Sequence, residues 1–313
     1  LADPRQRLPF YPVALAGDRS SHAYWVVKGK LVRRPIAADG AVGALEELAK
    51  DAASGTIVAA LRAPGSPARD VAVYVRGEEN EQGERGAGLW IEGAGAQKLS
   101  QISGGTTGLA LAPLAPGKLE LVVLDGRSAM SSVHAVDLTL AGDGPVGVGE
   151  DRVVYVAGGV EWHTCPQLIS IGASPVALLP VAKDISHFGL VSLLIPAGAG
   201  QASESWVDYA NGVDPAPVAV ATICGKPMVA LVRPEKPGPG ATLLVQLGQL
   251  DGAGKIIGLR TVAAAGIVSH LALGAAGASG GKVPGGSGHA AGWLAYSTDA
   301  GLWAKALVCS GSS

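Results

Sequence analysis

A short signal recurs along this chain at intervals that constrain the fold more tightly than any single residue does. A Ser-Gly or Ser-His step leads into a run of small apolar residues four times: Ser54-Gly55, Ser103-Gly104, Ser186-His187 and Ser269-His270. The first interval is 49 residues and the next two are 83 each, which leaves room for one more copy midway through each longer gap. Candidates stand there, in Gly144-Pro-Val-Gly-Val148 and Gly225-Lys-Pro-Met-Val-Ala-Leu231, and a seventh fits at Pro9-Phe-Tyr-Pro-Val-Ala-Leu15. Starts near 9, 54, 103, 145, 186, 227 and 269 divide the 313 residues into seven units of about 43. A chain built this way stacks one supersecondary unit after another, each burying its apolar face on its neighbours.

The units read as antiparallel strands. A more hydrophobic second strand follows each start, as in Tyr24–Val27, Val71–Val75, Leu119–Leu124, Val153–Val156, Ser205–Tyr209, Ala241–Val245 and Trp293–Tyr296. A third follows a turn, as in Leu31–Ile36, Leu89–Glu92, Val133–Leu138, Leu168–Ile171, Val218–Ile223, Lys255–Thr261 and Leu302–Val308. A fourth is visible in some units, such as Val176–Val181. Gly43–Lys50 holds good helix formers where a fourth strand belongs, so a helix is expected there. With 48% hydrophobic and 16% charged residues the chain can bury a large core, and its 46 glycines follow no three-residue period, which excludes collagen. A pair of irregular β-sandwiches would also fit runs of this length.

Three or four strands per 43-residue unit resembles a β-propeller, and the resemblance implies radially packed blades with small residues on the crowded innermost strands. The expected fold is all-β, a single seven-bladed propeller domain over residues 1–313. No propeller family is matched. Trp-Asp, the signature of the WD-repeat family, is absent, and its Gly-His step is echoed only by Ser186-His187 and Ser269-His270. Gly158-Gly159 is kelch-like, and Ser297-Thr-Asp-Ala-Gly-Leu-Trp303 is similar to the Asp-box of sialidase-type propellers but one residue short.

Charge removes other classes. The net charge is −2, and the densest basic stretch, Lys28 to Arg34, is isolated, so neither nucleic acid nor an anionic membrane is an expected partner. The most apolar stretch, Phe188 to Gly200, is 13 residues long and contains Pro196, too short for a membrane-spanning helix. Cys165, Cys224 and Cys309 follow no metal or redox spacing. They read as buried or idle thiols, or as one disulfide with one thiol left over, and sequence does not choose the pair. The low charge, the many glycines and a start at Leu1 lead to the expectation of an extracytoplasmic protein, periplasmic or secreted, whose leader has been removed.

The propeller resemblance also implies that loops entering first strands and loops joining second to third strands share one face. It gathers Glu161, Trp162, His163, His187 and His270 as the expected ligand-binding residues. Trp162 is the one tryptophan assigned to a loop, where an indole can stack on a sugar or enter a partner's pocket. Three histidines and a glutamate could hold a metal, although no HxH or HExxH spacing supports this, so neither metal nor cofactor is expected. His187 and His270 read more readily as struts hydrogen-bonded across a blade. Glu78–Glu84 is read as solvated surface and Gly277–Gly288 as a hairpin tip. No catalytic residue follows from spacing, and Arg62, Arg127 and Arg233 are the arginines a sialidase-like site would gather. The resulting expectation is a non-catalytic binding or scaffold propeller with a protein or glycan ligand. The alternatives are a carbohydrate-active hydrolase or lyase with its site assembled from several blades, and a propeller-borne metal site.

Overall fold

Alternating apolar residues punctuated by glycine turns commit this chain to strands throughout. The computed structural model describes residues 13–14, 20–37, 41–54, 56, 58–65, 68–102, 105–126, 131–140, 146–157, 166–184, 187–209, 217–236, 241–275 and 290–309. Among these the fold is an all-β propeller of six antiparallel blades, in two compact units, Leu1–Val156 and Ala157–Ser313.

The first unit holds three blades. Blade 1 is β1 (Val13–Ala14), β2 (Ser20–Val27), β3 (Lys30–Ala37) and β4 (Glu46–Ala49), hydrogen-bonded in chain order. Blade 2 repeats that order with β5 (Val58–Ala63), β6 (Arg69–Glu79), β7 (Arg85–Ile91) and β8 (Gly95–Lys98). Blade 3 has β9 (Thr106–Ala115), β10 (Lys118–Asp125) and β11 (Ser131–Leu140). Its outer edge is divided between β12 (Val146–Val148) and β13 (Arg152–Ala157), both paired with β11. Blades 2 and 3 pack through Val71, Val73, Leu89, Leu109, Leu121 and Val136, and blades 1 and 2 through Tyr24, Leu31, Ala72, Tyr74 and Trp90.

The second unit holds the other three. Blade 4 is β14 (Gln167–Ile171), β15 (Ser174–Asp184), β16 (His187–Leu194) and β17 (Ser203–Tyr209). Blade 5 is β18 (Val218–Ile223), β19 (Lys226–Pro234), β20 (Leu243–Leu250) and β21 (Ile256–Ala265). Blade 6 has three strands among the described residues, β22 (Val268–Ala275), β23 (Gly292–Thr298) and β24 (Gly301–Leu307). One core joins them through Leu178, Leu190, Val229, Leu231, Leu247 and Leu294, and the Ser192 hydroxyl of blade 4 donates to the Gly254 carbonyl in the β20–β21 turn. A disulfide ties Cys224, in the β18–β19 turn, to Cys309 beyond β24, with Cα atoms 5.8 Å apart. Cys165 lies outside the described residues.

Six blades correct the seven expected. The starts near 9, 54, 103 and 269 match β1, β5, β9 and β22. The start at 145 falls on β12, an outer strand; that at 186 on β16, a third strand; and that at 227 on β19, a second strand. The strands in between are the expected ones grouped differently: Leu168–Ile171 and Val218–Ile223 open blades, and Ser205–Tyr209 closes one. The turn before a third strand and the loop before a first strand leave a blade at the same end, so they invite the same small polar residues. The helix expected at Gly43–Lys50 is strand β4. Pairing of Leu31 with Ala49 and Arg33 with Glu46, supported by an Arg33–Glu46 ion pair at 2.7 Å, overrides local helix preference.

Candidate functional site

The seam between blades 1 and 2 has an apolar middle and a polar network at each end, and a tyrosine reaches into each network. Tyr24 on β2 and Tyr74 on β6 bury their rings in the seam and extend their hydroxyls in opposite directions. Gly88, opposite Tyr74 on β7, makes room for the second ring: a Cβ there would lie 2.4 Å from Tyr74 Cζ.

At the end bearing the β5–β6 turn, the Tyr24 hydroxyl donates to Asp70 at 2.8 Å. Asp70 is 0% exposed and also receives Arg62 Nη1 at 3.0 Å and His22 Nδ1 at 2.7 Å, with Arg33 Nη1 at 3.8 Å. Arg33 lies over the Trp90 ring, 5.1 Å from its centroid, and its Nη1 is 3.4 Å from Glu92. Burial holds the Tyr24 hydroxyl well above its usual titration range, with the Asp70 charge adding to the effect. Asp70 is enclosed by its donors, so this end is a clamp between blades rather than an opening for a ligand.

The other end opens into a groove of about 370 Å³ lined by Lys50, Asp51, Tyr74, Arg76, Gln97 and Lys98, together with Ala49 and Ala96. The chain leaves β4 at Ala49 and presents Lys50 and Asp51 before crossing to blade 2. The end of β6 supplies Arg76, and β8 supplies Gln97 and Lys98. Asp51 accepts the Tyr74 hydroxyl at 2.7 Å and Arg76 Nε at 2.9 Å. Burial alone would raise its pKa, but the hydrogen bonds from Arg76 and Tyr74 outweigh this and hold the carboxyl below the ordinary range. Burial, then Asp51, pushes the Tyr74 hydroxyl upward, so it stays a donor at neutral pH. Arg76 Nη2 binds Glu78 at 2.8 Å. One planar guanidinium thus holds two carboxyl groups, Asp51 at Nε and Glu78 at Nη2.

Blade 3 carries two further polar clusters. Glu120 on β10 is 2% exposed, hydrogen-bonded to Asp137 across the strand pair and 3.1 Å from Arg152 Nη2. Burial first, then Asp137, pushes its pKa up to about 8 against the pull of Arg152. Folded protein therefore holds this proton up to about pH 8, whereas the unfolded chain releases it near 4.5. The unfolded state binds fewer protons between those values, so this contribution is full below about pH 4.5 and is lost as pH rises to about 8. Urea unfolding across that window should show the decline in wild type and a flatter profile in Glu120→Gln. The second cluster joins Ser132 and His134 of β11 to Asp151, in the break between β12 and β13.

Of the expected ligand-binding residues, two fall on described strands. Glu161, Trp162 and His163 lie outside the described residues. His187 opens β16. His270 on β22 is exposed and bonds across the blade, its Nδ1 3.0 Å from Ser297 Oγ and 3.2 Å from Ser269 Oγ. The Asp-box-like segment is the β23–β24 hairpin, where Thr298 Oγ1 accepts Ala300 N–H and Trp303 Nε1–H. Arg62 does converge with a second arginine, Arg33, on Asp70; Arg127 lies outside the described residues, and Arg233 belongs to β19 in the other unit. In the Glu78–Glu84 run, Glu78 pairs with Arg76 and Glu79 with Arg85. Among the described residues no three His, Cys, Asp or Glu side chains are grouped to hold a metal ion, and no helix is long and apolar enough to cross a membrane.

No protein-family model matches the chain, and no curated protein matches it. Solved structures do. A mutant of AofleA from Arthrobotrys oligospora with three arginines replaced by alanine is 9% identical, at a TM-score of 0.57 over 93% of this chain and 80% of that one. An endo-arabinase from Bacteroides thetaiotaomicron is 8% identical, at 0.48 over 96% and 95%. An alpha-L-arabinofuranosidase from Clostridium thermocellum is 6% identical, at 0.41 over 80% and 93%. At these identities the likeness concerns the fold. The expectation of a non-catalytic binding or scaffold propeller is corrected here: an endo-arabinase and an alpha-L-arabinofuranosidase are among the structures matched, and the carbohydrate-active alternative is taken up as a proposal below.

Proposed function

We propose that the protein is a carbohydrate-active hydrolase and that the groove at the seam of blades 1 and 2 takes its substrate. The observation that carries this reading is the Asp51–Arg76–Glu78 arrangement beside an open groove lined by Asp51 and Arg76: two carboxylates on one guanidinium, with Tyr74 donating to the first. Hydrolysis of a glycosidic bond needs one carboxylate that stays ionised and one carboxyl that can hand a proton to the leaving oxygen. Asp51, held in its charged form, suits the first role as base or nucleophile. Glu78, its side chain 66% exposed and 2.8 Å from Arg76 Nη2, is the second carboxyl group of the arrangement. Lys50, Gln97 and Lys98 offer donors to sugar hydroxyls or to an anionic substituent.

A glycan is then the expected partner. Glu161, Trp162, His163, His187 and His270 remain sequence-based candidates for ligand binding. The Cys224–Cys309 bond supports an extracytoplasmic location, because disulfides persist in oxidising compartments. We take residues 1–313 as one functional domain. Asp51→Asn and Glu78→Gln should each lower release of reducing ends from a responsive polysaccharide by about 10²–10⁴-fold, the usual contribution of an acid–base group. Unchanged rates in both variants would remove the groove from the reaction.

A further inference from the structure

We propose that Ser132, His134 and Asp151 form a hydrolytic centre for small acyl esters, separate from the glycan groove and independent of that reading. Ser132 Oγ lies 2.8 Å from His134 Nε2, and His134 Nδ1 lies 2.8 Å from Asp151 Oδ1. Both distances fall within the reach that a nucleophile, its base and the base's orienting group require. Three unrelated folds assemble these groups in different chain orders, so geometry and role identify them rather than sequence position.

The backbone delivers the three side chains for simple reasons. Ser132 and His134 are two residues apart on β11 and therefore share one face of the blade. Asp151 comes from the break that divides the outer edge into β12 and β13, both paired with β11. That break is anchored at its start, where Gly149 N–H donates to Asp137 carbonyl at 2.8 Å. Beside the histidine lies a second carboxylate, with Asp125 Oδ2 3.9 Å from Nε2. The side chains are partly covered, His134 at 14% and Asp151 at 27% exposure.

An ionised Asp151 accepts from a protonated Nδ1, leaving Nε2 bare to accept the Ser132 proton. Attack of Oγ on an ester carbonyl forms the Oγ–C bond as that proton passes to Nε2. Collapse breaks the C–O bond to the alcohol, which departs with the same proton. Water, deprotonated by Nε2, then attacks the acyl-Ser132; its hydroxyl stays with the acyl group, Oγ regains the proton, and a carboxylic acid leaves. Asp151 acts as a positioning residue throughout, and Asp125 adds negative charge beside the imidazolium that forms.

The test uses the whole chain with a fluorophosphonate reagent and with p-nitrophenyl acetate. The reagent should bond phosphorus to Ser132 Oγ with loss of fluoride, found by mass spectrometry on the peptide containing Ser132. Ser132→Ala should lose both the adduct and ester hydrolysis above background. Asp151→Asn should slow labelling by about 10³–10⁴-fold, as expected when the imidazole is held in the wrong tautomer. Asp51→Asn should leave labelling unchanged, which separates this centre from the glycan groove. No adduct on Ser132 in folded wild type would overturn the proposal. So would full hydrolysis in Ser132→Ala, or a fall in that variant's Tm by several degrees with no ester hydrolysis in wild type, which marks a hydrogen-bonded strut.

Discussion

Replacing Cys309 by Ser should destabilise the protein by about 4–5 kcal/mol, the chain-entropy value for closing a loop of this length. The bond joins residues 85 apart, from the β18–β19 turn of blade 5 to the segment after the last strand of blade 6. Without it, the unfolded chain regains the freedom of that whole loop, while the native strands keep their pairing partners. For a unit of this size the change corresponds to a Tm lower by about 8–20 °C. Calorimetry of the variant, or of wild type in reductant, measures it. An unchanged Tm would mean that the blades restrain the chain end without the bond.

Asp70→Ala should cost about 3–5 kcal/mol, the usual result of removing one partner from a buried ionic network. Asp70 is fully enclosed and is shared by His22, Tyr24 and Arg62, with Arg33 close by. Its removal leaves guanidinium charge in the seam without its main counter-charge, and a cavity where the carboxyl stood. Asp70→Asn keeps the volume but not the charge and should fall between the two proteins. Urea unfolding of the three proteins gives the order. An Asp70→Ala midpoint equal to wild type would show that water or Glu92 satisfies the arginines as well as Asp70 does.

These two predictions concern places that spacing alone did not reveal. Strand positions were legible because apolar runs such as Val71–Val75 and Leu119–Leu124 end in turn residues, and both are strands. Their grouping was not. Ser269-His270 lies in a first strand, whereas His187 opens a third strand, and both strands start at the same end of a blade. A period measured from such steps counts half-blades as readily as blades, and seven units resulted where six exist. The three cysteines carried no spacing that could select Cys224 with Cys309, because the pairing depends on blade 5 lying against blade 6.

The candidate sites were hidden for a related reason. Asp51 follows β4, whereas Tyr74 and Arg76 belong to β6, and only the seam between two blades brings the three together. Ser132 and His134 could have been noticed as alternate residues of one strand, yet Asp151 reaches them only because the outer edge breaks between β12 and β13. Arg62 was recognisable as one of the arginines a sialidase-like site would gather. It does so on a buried aspartate, where a structural clamp and a ligand site leave the same mark on the sequence.

Reducing-end release by purified wild-type protein, followed across a panel of plant and bacterial polysaccharides beside Asp51→Asn, tests the central claim most directly. A hydrolase at the blade 1–2 groove predicts turnover of at least one polysaccharide by wild type and its loss in the variant. No turnover across the panel, or equal turnover by both proteins, would contradict it.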